Sequence, residues 1–241
     1  MRRKFKTPKT KRQKEKFRRK LRSSEERVLR FLSSVEKEKY FDYGEAFEKV
    51  FGFKPKDSVF MQKGKGCIIF YLSERDYAEV MKGRSPFEIV MDLGRVPSRE
   101  YVKENRLKER VIIVKRGKRD IERTVKHEEG HVVYGLLHPM KKWRIEKQAE
   151  NAVLSEFYAD LVSHDDRVKI KYNLIFDTLI EPGGKPLKNR EEHLEKLRKI
   201  EKLYSELYNK GVSNREIAEV VLHSTWSNIE QNLKRLLKKK V

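Results

Sequence analysis

The sequence predicts an α+β fold: a small β-sheet, two central helices and helical additions at both ends. Two short runs rich in β-branched and aromatic residues, 67–72 and 110–116, are typical of strands. Segment 120–137 carries apolar residues at helical spacing, and segment 145–164 runs without Gly or Pro. There is no internal repeat, and 241 residues allow one domain with appendages or two small ones.

Residues 1–22 are strongly basic. They hold 13 Lys or Arg and one Glu, and so supply +12 of the formal net charge of +21. Because such a segment cannot form a core, we expect a disordered tail, or one that is helical only on a partner. The charge favours a polyanion as that partner: DNA, RNA or an anionic membrane surface. A tail that only increases solubility is the alternative.

Helix signals follow this basic segment. Ser23 and Glu26 have the spacing of a capping box, which predicts that a helix begins there. Further helices are predicted over residues 41–53 and 85–94, since Gly residues close both segments and the second begins with Ser-Pro.

Residues 127–131 read His-Glu-Glu-Gly-His, an HExxH motif. The motif lies in a predicted helix that Asp120 can cap and that Pro139 ends. His127 and His131 therefore share one helix face, one turn apart, where two imidazoles can bind one zinc ion. Glu128, beside the first histidine, is placed to activate the water on such a metal. The alternative is an amphipathic helix with two histidines four apart by coincidence.

A catalytic zinc takes three protein ligands and leaves one position for water. The predicted helix over 145–164 offers Glu156, on a face of small residues that can approach another helix closely. Asp160 lies one turn further on, where it could accept the free N–H of a zinc-bound imidazole. Glu146 and Glu150 are rival ligands, but their positions suit a more solvent-facing side of the helix.

The run 182–186, Pro-Gly-Gly-Lys-Pro, is the clearest loop in the sequence. It separates a predicted central domain, residues 23–181, from a helical C-terminal region, residues 187–241. In the latter, an amphipathic helix is predicted to end at Gly211, because glycine commonly follows a helix C-terminus.

A second capping box, Ser213 with Glu216, predicts the next helix. Residues 211–218 resemble the first helix of response-regulator-type helix-turn-helix domains, but beyond this stretch the match becomes poorer. Helical packing against the rest of the chain, with Trp226 as a core residue, is the interpretation that we favour.

The HExxH motif and the later segment Glu-Phe-Tyr-Ala-Asp, residues 156–160, together resemble the gluzincin zinc metallopeptidases. The Glu-x-x-Ala-Asp pattern is similar to that of the membrane HtpX/Ste24 peptidases, and the small minigluzincins match more closely in scale. Residues 123–131 also resemble the antirepressor metallopeptidases that cut phage repressors. The resemblance covers residues 120–164.

This resemblance implies a zincin-like domain that binds one Zn²⁺ per chain and hydrolyses peptide bonds. Its zinc ligands would be His127, His131 and Glu156. Glu128 would be the general base and acid, and Asp160 would bind the far side of an imidazole. Such enzymes often have an additional transition-state donor, for which the candidates are His164, Tyr158, Tyr172 and His223.

Metallopeptidases of this type commonly hold the substrate extended along a sheet edge. The strand predicted over 110–116, just before the HExxH helix, is the candidate for this role. An ordinary buried strand is the alternative.

The single cysteine excludes an internal disulfide and fits a reducing compartment. Without an apolar run of membrane-spanning length or a signal-peptide hydrophobic region, we expect a soluble cytoplasmic protein. Two functions remain. The first is a zinc peptidase acting on a peptide or protein substrate. The alternative is a nucleic-acid-binding protein in which the zinc site is structural or vestigial. The oligomeric state stays open.

Overall fold

The computed structural model describes residues 11–36, 43–81, 94–95, 111–116, 120–138, 145–169, 180–181, 185–186 and 189–240. These residues form a mixed α+β structure, as the sequence predicts. The helix predicted over 85–94 cannot be compared with the structure, because residues 85–93 lie outside the described part.

The described helices are α1 Lys11–Glu36, α2 Tyr43–Phe51, α3 Glu74–Val80, α4 Ile121–Leu137, α5 Ile145–Ser163, α6 Arg190–Asn209, α7 Asn214–Leu222 and α8 Ile229–Lys239. The described strands are β1 Phe60–Lys63, β2 Ile68–Leu72, β3 Gly94–Arg95, β4 Val111–Lys115, β5 Ile180–Glu181 and β6 Lys185–Pro186. The sequence-based predictions for α2, β2, β4, α4, α5 and α6 are thereby confirmed.

The chain divides into two compact units. One is Arg18–Val133, which we call the sheet unit. The other combines Met1–Phe17 with Tyr134–Val241, and we call it the helical unit. The division falls within α1 and within α4, so each of these helices runs from one unit into the other. The predicted domain limits at residues 22 and 182–186 stay a prediction.

The sheet unit contains a four-stranded sheet in the order β1-β2-β4-β3. Strands β1 and β2 form an antiparallel hairpin, β2 and β4 are parallel, and β3 is antiparallel to β4. Aromatic rings of α2 pack on this sheet: the Phe47 ring meets the Phe70 ring edge-on at 5.9 Å. Strands β2 and β4 are almost wholly buried, which accounts for their continuous apolar runs.

The helix start predicted at Ser23 is wrong. Residues 11–22 are helical, and α1 continues through residues 23–26 without the helix start that the capping box predicted. No Gly or Pro interrupts residues 11–36, and Arg, Lys, Glu and Leu favour helix. The Ser24 hydroxyl does not cap the helix but donates a buried hydrogen bond of 2.7 Å to the Gly66 carbonyl. Residues 1–10 lie outside the described part.

The prediction that residues 110–116 form a substrate-binding edge also needs correction. Strand β4 is interior: Ile113 and Val114 pair with β2 on one side and with β3 on the other. Along the two residues that pair with β3, β4 therefore has no free edge for a peptide. In the described sheet, the outermost strands are β1 and β3.

The helical unit is built from packed pairs of helices, with α7 against α5 and α8 against α6. Gly211 has a positive φ of 74°, which suits the left-handed residue after a helix end. The Ser213–Glu216 capping box is present, as predicted. Trp226 is buried, and its indole N–H donates to Nδ1 of His193 at 3.1 Å. This region therefore consists of packed helices, one of which lies against α5. The resemblance of residues 211–218 to a helix-turn-helix stays a prediction.

Among the described residues, no helix has both the length and the hydropathy that a membrane span requires.

Candidate metal centre

Helix α4 begins at the point where the backbone of Asp120 is left-handed, with φ of 63°. The carbonyl oxygen of Asp120 accepts hydrogen bonds from the N–H and the hydroxyl of Thr124, at 3.0 and 3.2 Å. One turn further on, Lys126 pairs with Glu122 at 2.9 Å. Val125 and Val132 are buried, as the apolar stripe predicts. These contacts fix the helix on which the HExxH residues lie.

His127 and His131 face each other across one turn of α4. Their Nε2 atoms are 3.1 Å apart, and the two rings are nearly perpendicular, at 84°. Both side chains are half-buried. Two ring nitrogens thus lie side by side at a partly accessible place on the helix.

Glu156 of α5 completes a group of three potential ligands. One ligand atom from each of His127, His131 and Glu156 lies within 4.8 Å of the others. Among the described residues, it is the one group of three or more His, Cys, Asp or Glu side chains whose ligand atoms lie close enough together to hold a metal ion. The ligand set predicted from the sequence is therefore brought together.

This donor set fits zinc. Zinc–nitrogen bonds of about 2.0–2.1 Å in a regular tetrahedron place two nitrogens roughly 3.3 Å apart, close to the observed 3.1 Å. Two imidazoles and one carboxylate are a known ligand set for catalytic zinc. Imidazole and carboxylate groups also bind other divalent first-row metals, so the geometry by itself does not identify the ion.

Glu128 lies next to this group in the sequence and is buried, with 8% of its surface exposed. Helix geometry places it about 100° from His127, between the histidines and the buried stripe of α4. Glu128 is not one of the three residues of the candidate ligand group.

Asp160 follows Glu156 by one turn of α5 and is half-buried. Burial raises the pKa of the Tyr204 phenol on α6, and the negative charge of Asp160 contributes to the same shift. Asp160 is thus within electrostatic reach of α6. The hydrogen bond predicted between its carboxylate and a ligand imidazole stays a prediction.

The rival ligand Glu150 has a different role. Its carboxylate accepts a hydrogen bond of 2.7 Å from Lys147 on the same helix, and it does not belong to the three-residue group. The side chain of Glu146 lies outside the described part of the structure.

The candidate transition-state donors occupy different surroundings. Tyr158 is two residues past Glu156, hence about 200° around α5, and burial raises its pKa to about 12. His164 lies at the end of α5, with Nδ1 3.0 Å from the Asp160 carbonyl oxygen. His223 follows α7 and has Nε2 3.3 Å from Glu219. Tyr172 lies outside the described residues. The role of donor is not assigned by these positions.

One contact of α4 was missed in the sequence. The carboxylate of Glu129 accepts a hydrogen bond of 2.7 Å from the backbone N–H of Lys65, in the turn between β1 and β2. A side chain at Gly64 would meet Glu129 Oε1 at 2.9 Å and Cys67 Sγ at 2.6 Å, so this close approach requires glycine. The run Gly-Lys-Gly at residues 64–66 indicates a turn that another part of the chain can approach closely, but it does not indicate which carboxylate does so.

Glu129 lies about 200° around α4 from His127. The turn therefore holds α4 by the side away from the two histidines.

Comparison of this chain with protein-family models, with curated proteins and with solved structures gave no match.

Proposed function

We propose that this protein is a zinc-dependent peptidase of the gluzincin type. The observation that carries the proposal is the convergence of His127, His131 and Glu156, whose ligand atoms lie within 4.8 Å of one another. Two of these residues come from the HExxH helix and the third from a separate helix. Two histidines that are four apart only by coincidence would not require a carboxylate from a second helix beside them.

The number of ligands favours catalysis over a structural metal site. Structural zinc sites usually have four protein ligands, whereas catalytic sites have three and keep a position for water or substrate. The two histidines are half-buried, so that small molecules can approach. A carboxylate of the HExxH type at Glu128 supplies the general base that hydrolysis needs.

The proposed mechanism is metal-assisted hydrolysis of an amide. When bound, zinc would acidify a water molecule and polarise the peptide carbonyl. His127, His131 and Glu156 would hold the metal. Glu128 takes a proton from the attacking water and later gives it to the leaving amine. Glu128 is buried, so its side chain has less freedom to turn than an exposed carboxylate has.

Metal content tests the ligand assignment. Wild-type protein purified without chelator should hold about one zinc per chain by elemental analysis. Glu156→Ala should lose most of this zinc. Removing a residue that only hydrogen-bonds to a ligand lowers metal affinity by roughly 10–100-fold, and removing a ligand itself should lower it further. The matched control is Glu150→Ala on the same helix, which should keep one zinc per chain. No zinc in the reconstituted wild type, or equal loss in both variants, would reject the site.

Hydrolysis tests the chemistry. With an unstructured protein such as casein as substrate, Glu128→Gln should lower the rate by roughly 10²–10⁴-fold, the usual contribution of a general base. It should retain zinc. The neighbouring Glu129→Gln is the control, since its amide oxygen can still accept the Lys65 N–H and activity should persist. Proteolysis that survives Glu128→Gln would show that the activity comes from elsewhere.

A further inference from the structure

Helix α1 presents a basic surface that the proposed peptidase chemistry does not use. Residues 11–22 have a net charge of +7, from eight Lys or Arg and one Glu. Four of these side chains are exposed: Lys16, Arg18, Arg19 and Arg22. We call them the basic cluster. They span about 9 Å along the helix and an arc of about 160° around it.

The opposite side of α1 is attached to the sheet unit. The Ser24 hydroxyl donates to the Gly66 carbonyl, and a side chain at Gly66 would stand 3.2 Å from Cδ1 of Leu21. Leu21 and Ser24 point away from the centre of the basic cluster by the helical period. The cluster is therefore carried on a supported helix with its charges directed to solvent.

The charge of this cluster is not neutralised within the described structure. No described acidic side chain pairs with any of its four members. The C-terminal region differs, because residues 190–240 hold twelve basic and eight acidic residues. Pairs there include Lys234 with Glu230 and Lys240 with Glu216. Of the two basic regions, α1 has the higher density of uncompensated charge.

We propose that the basic cluster of α1 binds the phosphate backbone of double-stranded nucleic acid. A duplex carries about one negative charge per 1.7 Å of its axis, and Lys and Arg bind it by releasing its counterions. An interfacial membrane helix would need an apolar face for insertion, whereas Leu21 is turned toward the hairpin. Single-strand binding favours exposed aromatic rings, and Phe17, the aromatic residue within 11–22, is half-buried.

The binding is electrostatic and independent of sequence, since contacts to phosphates carry no base information. Its function would be to hold the protein on nucleic acid, whether or not the metal site is catalytic. The surface and the metal site can therefore be tested separately.

The test uses the full chain and a fluorescent 20-bp duplex of arbitrary sequence, with anisotropy read between 50 and 200 mM salt. In one variant, the four basic-cluster residues are changed to Gln, which keeps helix propensity. The control variant changes four exposed basic residues of the C-terminal helices to Gln: Arg198, Lys202, Lys238 and Lys239. Both variants lose the same charge.

We expect the basic-cluster variant to bind at least about 100-fold more weakly at 50 mM salt. The slope of log affinity against log salt should fall by about 3–4, near 0.9 for each lost phosphate contact. The control variant should change affinity less than about fivefold. Changing the duplex sequence should have little effect.

Equal losses in the two variants would overturn the proposal, since diffuse net charge would then explain binding. Wild-type affinity in a basic-cluster variant of unchanged circular dichroism would do the same. Preference for a single strand, or binding to phosphatidylserine vesicles without binding to the duplex, would assign the cluster to another partner.

Discussion

Polar side chains are used differently in the C-terminal helices and on the two helices that carry the candidate ligands. In the C-terminal helices, buried polar groups close the ends of neighbouring helices. Asn232 donates to Ser224 Oγ, and the Ser224 hydroxyl donates to the Val220 carbonyl. On α4 and α5, by contrast, His127, His131 and Glu156 direct ligand atoms toward one another.

We infer from this difference that the polar groups of the first region stabilise the fold and that those of the second serve the proposed function. Hydrogen bonds at helix ends satisfy backbone groups that have no partner within the helix, so they contribute to stability. The three candidate ligand side chains converge on one another instead of on a helix end. We therefore expect substitutions in the first region to change unfolding, and substitutions in the second to change metal content and activity.

Asn214→Ala should have the largest effect on stability. The buried Asn214 amide donates to the carbonyls of His164 and Asp166, at 2.8 and 2.7 Å, and accepts from the Tyr204 hydroxyl at 3.1 Å. Each buried group left without a partner costs about 1–3 kcal/mol. We expect a loss of about 3 kcal/mol in urea unfolding, with zinc content unchanged.

The control for this substitution is Asn209→Ala, on an exposed residue near the end of α6, which should change stability by less than about 0.5 kcal/mol. An Asn214→Ala protein as stable as the control would contradict the structural role. Loss of zinc from a folded Asn214→Ala protein would break the comparison between the two regions.

Gly64→Ala tests the contact between the HExxH helix and the turn that joins β1 to β2. The added methyl group would lie 2.6 Å from Cys67 Sγ and 2.8 Å from Ile69 Cδ1, besides crowding Glu129. Such overpacking costs about 1–3 kcal/mol. Because Glu129 is on the far side of α4 from the histidines, we expect lower stability with one zinc per chain retained.

Lys65→Ala is the matched control. It adds no atoms, and it keeps the backbone N–H that donates a hydrogen bond to the Glu129 carboxylate. It should unfold like the wild type. If folded Gly64→Ala protein failed to bind zinc, the turn would be positioning the histidines as well as stabilising the helix.

Local patterns in the sequence predict much of this architecture. The Ser213–Glu216 capping box and Gly211 depend on neighbours within a few residues, and both are present. The pairing of His127 with His131 follows from the helical period alone, and the approach of Glu156 was indicated by its small neighbours and by the family resemblance. All three predicted ligands meet.

The remaining features depend on distant contacts. Ser24 has the sequence environment of a helix start, yet its hydroxyl binds Gly66, 42 residues away. The interior position of β4 depends on Gly94 and Arg95, which as a two-residue strand give no periodic signal. Glu129 resembles any exposed helical carboxylate until the turn at Lys65 folds against it. Tertiary partners, rather than local propensity, decide these three cases.

The smallest predicted effect concerns pH and sharpens the description of the C-terminal helices. Hydrogen bonds from Lys240 and then from the Ser213 backbone N–H lower the pKa of Glu216 below its ordinary value of 4.5. A carboxyl with a lowered pKa stabilises the fold above its unfolded pKa, and this contribution disappears as pH falls through the folded value. Glu216 is exposed to solvent, so the contribution is small.

The measurement is the difference in melting temperature between wild type and Glu216→Gln. The wild type should be the more stable at pH 7, and the difference should shrink steadily below pH 4.5. Added salt should reduce the difference at pH 7, because the Lys240 pair lies in solvent. A difference that stays constant with pH would mean that Glu216 acts only through its capping geometry. A difference that grows on acidification would contradict the direction of the pKa shift.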